Sequence, residues 1–277
     1  MFLIDFLHNY RPQPVFLRLG FWNIHWYGLL MAMAIFLGLA LIIKIAPKYK
    51  AHFQSVVFNI VIFGFIGARI YYIINEFPYY SSRPLEIFKI WEGGIGIYGA
   101  IIGGILALFL YARKHKFSFL FLADLIAPAL ILGQALGRWG NYFNQEIFGK
   151  PTNLPWGIPI DAANRPVEFL NSRYFHPCFF YESVLDLFIF VFLFLLLKSQ
   201  IKKATLCSGA VFSWYLVLYG LVRFFLEFLR IDHEPILFGL RLGQAFAAGA
   251  IIIGISMLLK IKNQESKIIK EQGASKH

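Results

Sequence analysis

The chain has 277 residues, 58% of them hydrophobic and only 15% charged, with 31 phenylalanines and a formal net charge of +11. So little polar material cannot cover a water-facing surface, which excludes an ordinary soluble globule, a disordered chain, a collagen and a coiled coil. Two cysteines exclude a disulfide framework, and the N-terminus MFLIDFLHNYRPQP lacks the basic start, apolar core and cleavage site of a signal peptide.

A membrane span takes about 20 apolar residues. Seven segments qualify, at 22–45, 52–74, 93–112, 118–137, 179–197, 206–229 and 243–261. The expectation is an all-α polytopic membrane protein forming one integral domain over 1–277. Residues 1–12 and 75–91 read as interfacial pieces, Tyr79, Tyr80 and Trp91 suiting a headgroup belt. The fourth span is broken by Asp124 and Pro128, which neighbouring helices must satisfy. The stretch 138–178, with its GKPTNLPWGIP texture, predicts a small outer cap, and the polar tail 262–277 predicts fraying.

Charge placement orients the spans. The connections after spans one, three and five hold Lys44, Lys48 and Lys50, then Arg113, Lys114 and Lys116, then Lys198, Lys202 and Lys203, and the tail adds five lysines. Lys/Arg-rich loops are cytoplasmic, so the N-terminus is outside and the C-terminus inside. This topology explains the basic charge without nucleic acid. Only Lys89 and Lys150 among the lysines fall outside, and only Arg113 among the eleven arginines falls inside. Arginine's planar fork suits bidentate binding of phosphate or carboxylate. Composition drift in loops is the plainer explanation, but several of these arginines lie within spans.

Chain direction brings polar groups to the outer leaflet: Tyr27, Arg69, Tyr98, Arg138, Asn141, Glu182, with Asp186 deeper, and the sixth-span set. That set, Tyr219, Arg223, Glu227 and Arg230, falls within about 80° on a helix of about 100° per residue. Such a stripe faces the bundle interior. It reads either as an Arg–Glu ladder locking helices together or as a cavity for an anionic lipid head. In the third span Gly99 and Gly103 make a G-x-x-x-G step for close helix approach. For Gly93–Gly99, packing and ligand approach are both open. The seven histidines are scattered, with no metal-ligand spacing.

The fourth span ends G-R-W-G-N-Y-F-N-Q-E-I-F-G, Gly137 to Gly149. This resembles the signature of bacterial prolipoprotein diacylglyceryl transferases, G-R-x-G-N-aromatic-x-N-x-E-x-x-G. Matching pieces run in the same order: His25–Gly28, Gly67–Arg69, Trp91–Gly94, Asp124–Pro128, His176–Glu182 and Tyr219–Arg230. The resemblance covers about residues 20 to 260. It implies a seven-span inner-membrane enzyme with an outward active site and no metal or nucleotide cofactor. The implied reaction moves a diacylglyceryl group from phosphatidylglycerol to the lipobox cysteine thiol of a prolipoprotein, releasing glycerol phosphate. It further implies that Arg138 binds phosphatidylglycerol with Asn141, Asn144, Glu146 and Gly149 beside it. By the same resemblance Arg223, with Tyr219 and Glu227 on its face, looks like the family's second essential arginine, and Tyr27 matches the first-span tyrosine. Many family members carry a histidine, a proposed base, where this chain has Tyr98. A phenol with pKa near 10 is a poor base.

The implied nucleophile is the substrate thiol, which reacts as thiolate. Arg138 and Arg223 are expected to bracket the phosphate, and Arg69 to join the lipid-binding set. The proton exit stays open among Tyr98, Glu146, His176 and water. Tyr27 and Tyr219 either orient a lipid oxygen or pack. Asn141 is weighed as a helix cap, Glu182 and Asp124 as structural partners. Cys178, outside, and Cys207, inside, should not pair. The competing class is a transporter or flippase for an anionic lipid or solute, against which stand the one-leaflet placement of the polar groups and the lack of a duplicated half.

Overall fold

The computed structural model describes residues 2–20, 22–89, 93–202, 209–232, 235–237 and 239–274. Trp91, Glu92, Lys203, Cys207, His233, Lys276 and His277 therefore lie outside the described residues. The chain is mostly helical, as a polytopic membrane protein requires. Among the described residues six helices are long and apolar enough to cross a membrane: Trp26–Ile45, Pro47–Asn75, Ile97–Lys114, Phe119–Phe143, Cys178–Lys202 and Leu242–Gln264. The expected span at 206–229 is a shorter helix, Ala210–Leu226, of 17 residues. Three two-stranded antiparallel pairs depart from the all-α expectation.

Two compact units divide the chain, Met1–Gly38 with Asp124–His277, and Leu39–Ala123. In the larger unit, α1 (Phe2–Asn9) precedes a hairpin of β1 (Val15–Leu19) and β2 (Trp22–His25), which feeds α2 (Trp26–Ile45). The chain expected to start spanning at residue 22 is thus a strand until His25. In the smaller unit, α3 (Lys50–Asn75) leads through α4 (Phe77–Ser82) and a 3-10 turn to α5 (Ile97–Lys114).

The antiparallel α3 and α5 touch backbone to backbone. A Cβ on Gly99 would lie 2.1 Å from the Gly67 carbonyl oxygen, and one on Gly103 would lie 2.1 Å from that of Phe63. The G-x-x-x-G step is a packing device, as its spacing suggested. Packing extends to Gly94, against Arg69 and Tyr72, and to Gly96, against Tyr71. Helix α5 ends in a Schellman motif with Lys116 at φ 57°.

Helix α6 (Phe119–Phe143) runs six residues beyond the expected end at 137, so Arg138 and Asn141 are helical and the cap begins later. Its small residues lie against α2: Gly140 on the Tyr27 ring, Gly137 near Met31, Gly133 near Ala34 and Ala129 near Gly38. At the other end Asp124 caps the next-but-one helix, α8 (Ala210–Leu226). Its carboxylate accepts from the Gly209 N–H at 2.6 Å and the Phe212 N–H at 2.8 Å.

The cap follows α6. Strand β3 (Ile158–Pro159) pairs with β4 (Tyr174–Phe175), and Leu7, Tyr142, Phe148, Ile158, Phe175 and Phe179 form its buried core. Helix α1, expected at the interface, is tied to this cap, with His8 stacked on Tyr174 and its Nδ1 2.8 Å from the Gly157 carbonyl oxygen. The segment then enters α7 (Cys178–Lys202). After α8, the pair β5 (Ile236–Leu237) and β6 (Leu240–Arg241) leads into α9 (Leu242–Ala274), which continues as helix through most of the tail expected to fray. Gly254 of α9 lies against the Ser213 carbonyl of α8, so these two helices also approach closely.

Candidate active site

The signature segment closes α6 with a second Schellman motif. The Glu146 N–H donates to the Asn141 carbonyl at 3.0 Å and the Gln145 N–H to that of Tyr142 at 3.0 Å. The left-handed position, φ 53°, is occupied by Gln145 rather than glycine. Its side chain holds it there, donating to Asp161 Oδ2 at 2.7 Å and accepting from the Asp161 N–H at 2.7 Å. This fixes Glu146 one step on. Asn141 Nδ2 donates to Glu146 Oε1 at 2.7 Å, so Asn141 links side chains and does not cap a helix.

Arg138 is the next member of the chain of contacts. Its Nη1 donates to Asn141 Oδ1 at 3.2 Å, and its Nη2 to Glu182 Oε1 at 2.7 Å. The Tyr219 hydroxyl lies 3.4 Å from both Arg138 Nη2 and Glu182 Oε1. The other Glu182 oxygen faces Arg223 Nη1 at 3.6 Å. Arg223 Nη2 then reaches Glu227 Oε2 at 2.8 Å. Glu227, fully buried just past the end of α8, also faces Arg230 at 3.6 Å and Arg241 at 3.5 Å. Arg230 is paired with Asp232 at 2.6 Å.

The expected Arg–Glu ladder therefore exists, and it reaches beyond one helix. Arg138, Arg223, Arg230 and Arg241 meet Glu182, Glu227 and Asp232, four guanidiniums against three directly paired carboxylates. The ladder does not use up the forks. Arg138 Nε is a buried donor with no hydrogen-bond partner, and Arg223 Nη1 makes no hydrogen bond beyond its 3.6 Å ionic contact with Glu182. A buried donor without a partner costs about 1–3 kcal/mol, so each needs a reason in the structure.

The remaining expected residues are placed as follows. Tyr27 lies across Gly140 and is partly exposed. Asn144 is half-buried at the end of α6, its N–H bonded to the Gly140 carbonyl. Glu146 is exposed. Cys178 is buried, against Gly149. His176, at the cap edge, has its pKa lowered by burial, and its Nδ1 lies 3.2 Å from the Tyr181 hydroxyl.

Arg69 and Tyr98 belong to the Leu39–Ala123 unit. Arg69 donates to the carbonyls of Glu86, Ile87, Gly93 and Gly94 at 2.8–3.0 Å. That geometry pins the backbone leading into α5 and favours a positioning role over phosphate contact. Tyr98 packs on the Tyr71 ring.

Glu182, expected as a structural partner, is one, and the sequence did not show that it serves two arginines at once. Sequence reasoning passed over Arg241, whose only signal was its place among the outer arginines. It noted Asp186 without a role; this acid is fully buried on α7 and neither carboxylate oxygen has a hydrogen-bond partner.

Residues 14–260 match the family described as prolipoprotein diacylglyceryl transferase. The chain is 42% identical over 251 residues to the phosphatidylglycerol–prolipoprotein diacylglyceryl transferase of a Nostoc species, covering 89% of this chain and 88% of that protein. It is 45% identical over 251 residues to the protein of that name from Acaryochloris marina, covering 89% of each. It is 41% identical over 247 residues to that of a Synechocystis species, covering 88% of this chain and 87% of the relative. With the signature segment folded around a two-arginine network, and a match spanning nearly its whole length, the chain belongs to the prolipoprotein diacylglyceryl transferase family.

Proposed function

We propose that this protein transfers the diacylglyceryl group of phosphatidylglycerol to the lipobox cysteine thiol of prolipoproteins and releases glycerol phosphate. The observation that carries this reading is one buried carboxylate, Glu182, bridging Arg138 and Arg223, while Arg138 Nε makes no hydrogen bond and Arg223 Nη1 has only its 3.6 Å contact with Glu182. A phosphodiester accepts such donors in bidentate fashion.

The thiol sulfur bonds to the glyceryl carbon as that carbon's bond to the phosphate oxygen breaks, and the electron pair leaves with glycerol phosphate. Arg138 and Arg223 bracket the phosphate and offset the charge on the leaving group. Their field also favours the thiolate. Both stay protonated, so neither takes the thiol proton. Glu146, exposed and joined to Arg138 through Asn141, is assigned that role. Asn144, Tyr27, Tyr219 and Glu227 shape the lipid site; Tyr98 is a candidate through the resemblance alone.

In this reading the chain is a single integral domain of the bacterial inner membrane. Ala210–Leu226, with residues flanking it, makes the seventh crossing. The N-terminus lies outside, the C-terminus in the cytoplasm, and the site faces the outer leaflet. The lysine-rich connections support that orientation.

The test incubates purified protein with head-labelled phosphatidylglycerol and a lipobox peptide. The expected result is a peptide heavier by one diacylglyceryl unit and labelled glycerol phosphate, both lost in Arg138→Ala. An unmodified peptide from folded wild-type protein overturns the proposal. Labelled lipid crossing a vesicle bilayer without peptide modification supports the transporter reading instead.

A further inference from the structure

At the lysine-rich end of the α3–α5 pair a groove of about 300 Å³ opens between the two helices. Its residues sort by polarity along the helix axes. On α3, Ser55, Asn59 and Phe63 follow one another at four-residue steps, so they line one face from polar to apolar. On the antiparallel α5 the register of the glycine contacts puts Tyr111 opposite Ser55 and Ala107 opposite Asn59, with Lys114 and, just past the helix end, His115 completing the lining beyond them. Tyr111 is buried, with its hydroxyl 3.0 Å from His52 Nδ1. Asn59 turns its Nδ2 to the Ser55 carbonyl at 2.8 Å and the Ser55 hydroxyl donates to the Ala51 carbonyl at 3.1 Å, so each side chain keeps an oxygen able to accept.

The charge at this end is one-signed. Residues 39–75 and 97–123 contain no aspartate or glutamate. Lys114 lines the groove, and Lys44, Lys48, Lys50, Arg113 and Lys116 belong to the connections at the same end of these helices. Lys114 has no ion pair among the described residues. The positive-inside bias accounts for lysines in these connections. It does not account for a cavity between the helices, or for serine, asparagine and tyrosine side chains where the apolar face of a span should continue.

We infer that this groove binds the headgroup of an anionic phospholipid, at a site built from none of the residues in the Arg138–Arg223 network. The phosphate lies at Lys114 and His115. The hydroxyl and amide groups of Ser55, Asn59 and Tyr111 hydrogen-bond the polar glyceryl region. The first acyl carbons run along Ala107 and Phe63. A basic pocket between spans is a known mode of lipid capture. The gradient from cation to aromatic ring fits an amphiphile and leaves a free anion only half a site. The lipid there would be a bound structural lipid of the α3–α5 pair, not the reacting substrate.

The test uses photoactivatable phosphatidylglycerol and photoactivatable phosphatidylcholine at equal mole fraction, with the full chain in nanodiscs. The expected result is labelling of peptides covering 55–63 and 107–115 by the anionic probe at about five-fold or more over the zwitterionic one, the preference that one basic side chain confers at a membrane surface. The variant Lys114→Ala, at an exposed position, should lose that excess while its melting midpoint holds. Equal labelling by both probes overturns the inference, as does unchanged labelling in Lys114→Ala. Displacement of the anionic probe by millimolar inorganic phosphate would assign the groove to a free anion and overturn the lipid. The readout is labelling, so it stands or falls independently of transferase turnover.

Discussion

Arg138 Nη2 lies 2.7 Å from Glu182 Oε1, on a carboxylate whose other oxygen faces Arg223 at 3.6 Å. The two arms are unequal. Arg138 is held by Glu182 and by Asn141, whereas Arg223 has its one short contact at Glu227, one turn along its own chain. Two cations that would repel each other are kept together by one buried anion, and Arg223 is the looser arm. Separating charged groups this deeply buried is costly when one partner is removed, about 3–5 kcal/mol.

Glu182→Gln tests the bridge. The amide keeps the shape and one acceptor but removes the negative charge, so the pair of arginines gains net positive field and loses alignment. We expect the KM for phosphatidylglycerol to hold or fall while kcat drops by about ten-fold or more, the pattern of an interaction made in the transition state. Steady-state kinetics with varied lipid reads the two separately. A rise in KM with kcat unchanged would reduce Glu182 to an ordinary structural partner.

Arg223→Lys tests the fork. Lysine keeps the charge but places it at a point, and cannot face Glu182 and Glu227 through separate nitrogens as Arg223 does. Most of the activity should be lost, about 100-fold in kcat/KM, the scale of removing one preorganised donor from a developing anion. Near-wild-type turnover would show that charge alone suffices and that bidentate geometry plays no part.

Much of this arrangement was readable in advance because membrane sequences restrict polar residues to positions with a reason. Arg138, Asn141, Tyr219, Arg223 and Glu227 stood out as polar groups on apolar spans, and they do meet. What the pattern hid was connectivity. Period and depth put Glu182 at the same level as the arginines, but nothing in them says that one glutamate is shared by arginines 85 positions apart. Helix ends were misread for a similar reason. Asn141 and Arg138 are polar, so the apolar run stops before them, yet the helix continues to Phe143 because their side chains find partners inside the protein. Arg69 shows the converse: its type and depth suggested a lipid contact, while local backbone carbonyls took its donors.

The α3–α5 contact gives a paired prediction. A Cβ at Gly103 would sit 2.1 Å from the Phe63 carbonyl oxygen, a backbone atom that cannot turn aside. At the adjacent Gly104 the nearest atom is the Ile60 side chain at 3.5 Å, an ordinary contact. Gly103→Ala should therefore lower stability by about 1–3 kcal/mol through overpacking, and Gly104→Ala by much less. Thermal unfolding in detergent compares the two directly. Equal midpoints would mean that the helices separate without cost.

His176 makes stability depend on pH. Trp156 Nε1 donates to the Tyr181 oxygen at 2.8 Å, so the single Tyr181 proton is free to point at His176 Nδ1, 3.2 Å away. That nitrogen then accepts, which requires neutral imidazole. Burial lowers the His176 pKa below the ordinary 6.5. In the window between the lowered value and 6.5 the unfolded chain binds more protons than the folded one. Stability from this group is therefore complete above the ordinary value and is lost as pH falls through the lowered one. The wild-type melting midpoint should decline from pH 7 toward about 5, and His176→Gln, which cannot titrate, should decline less over the same range. Parallel curves for the two proteins would show that acid acts elsewhere; a steeper loss in the variant would show that the glutamine disrupts the cap edge by other means.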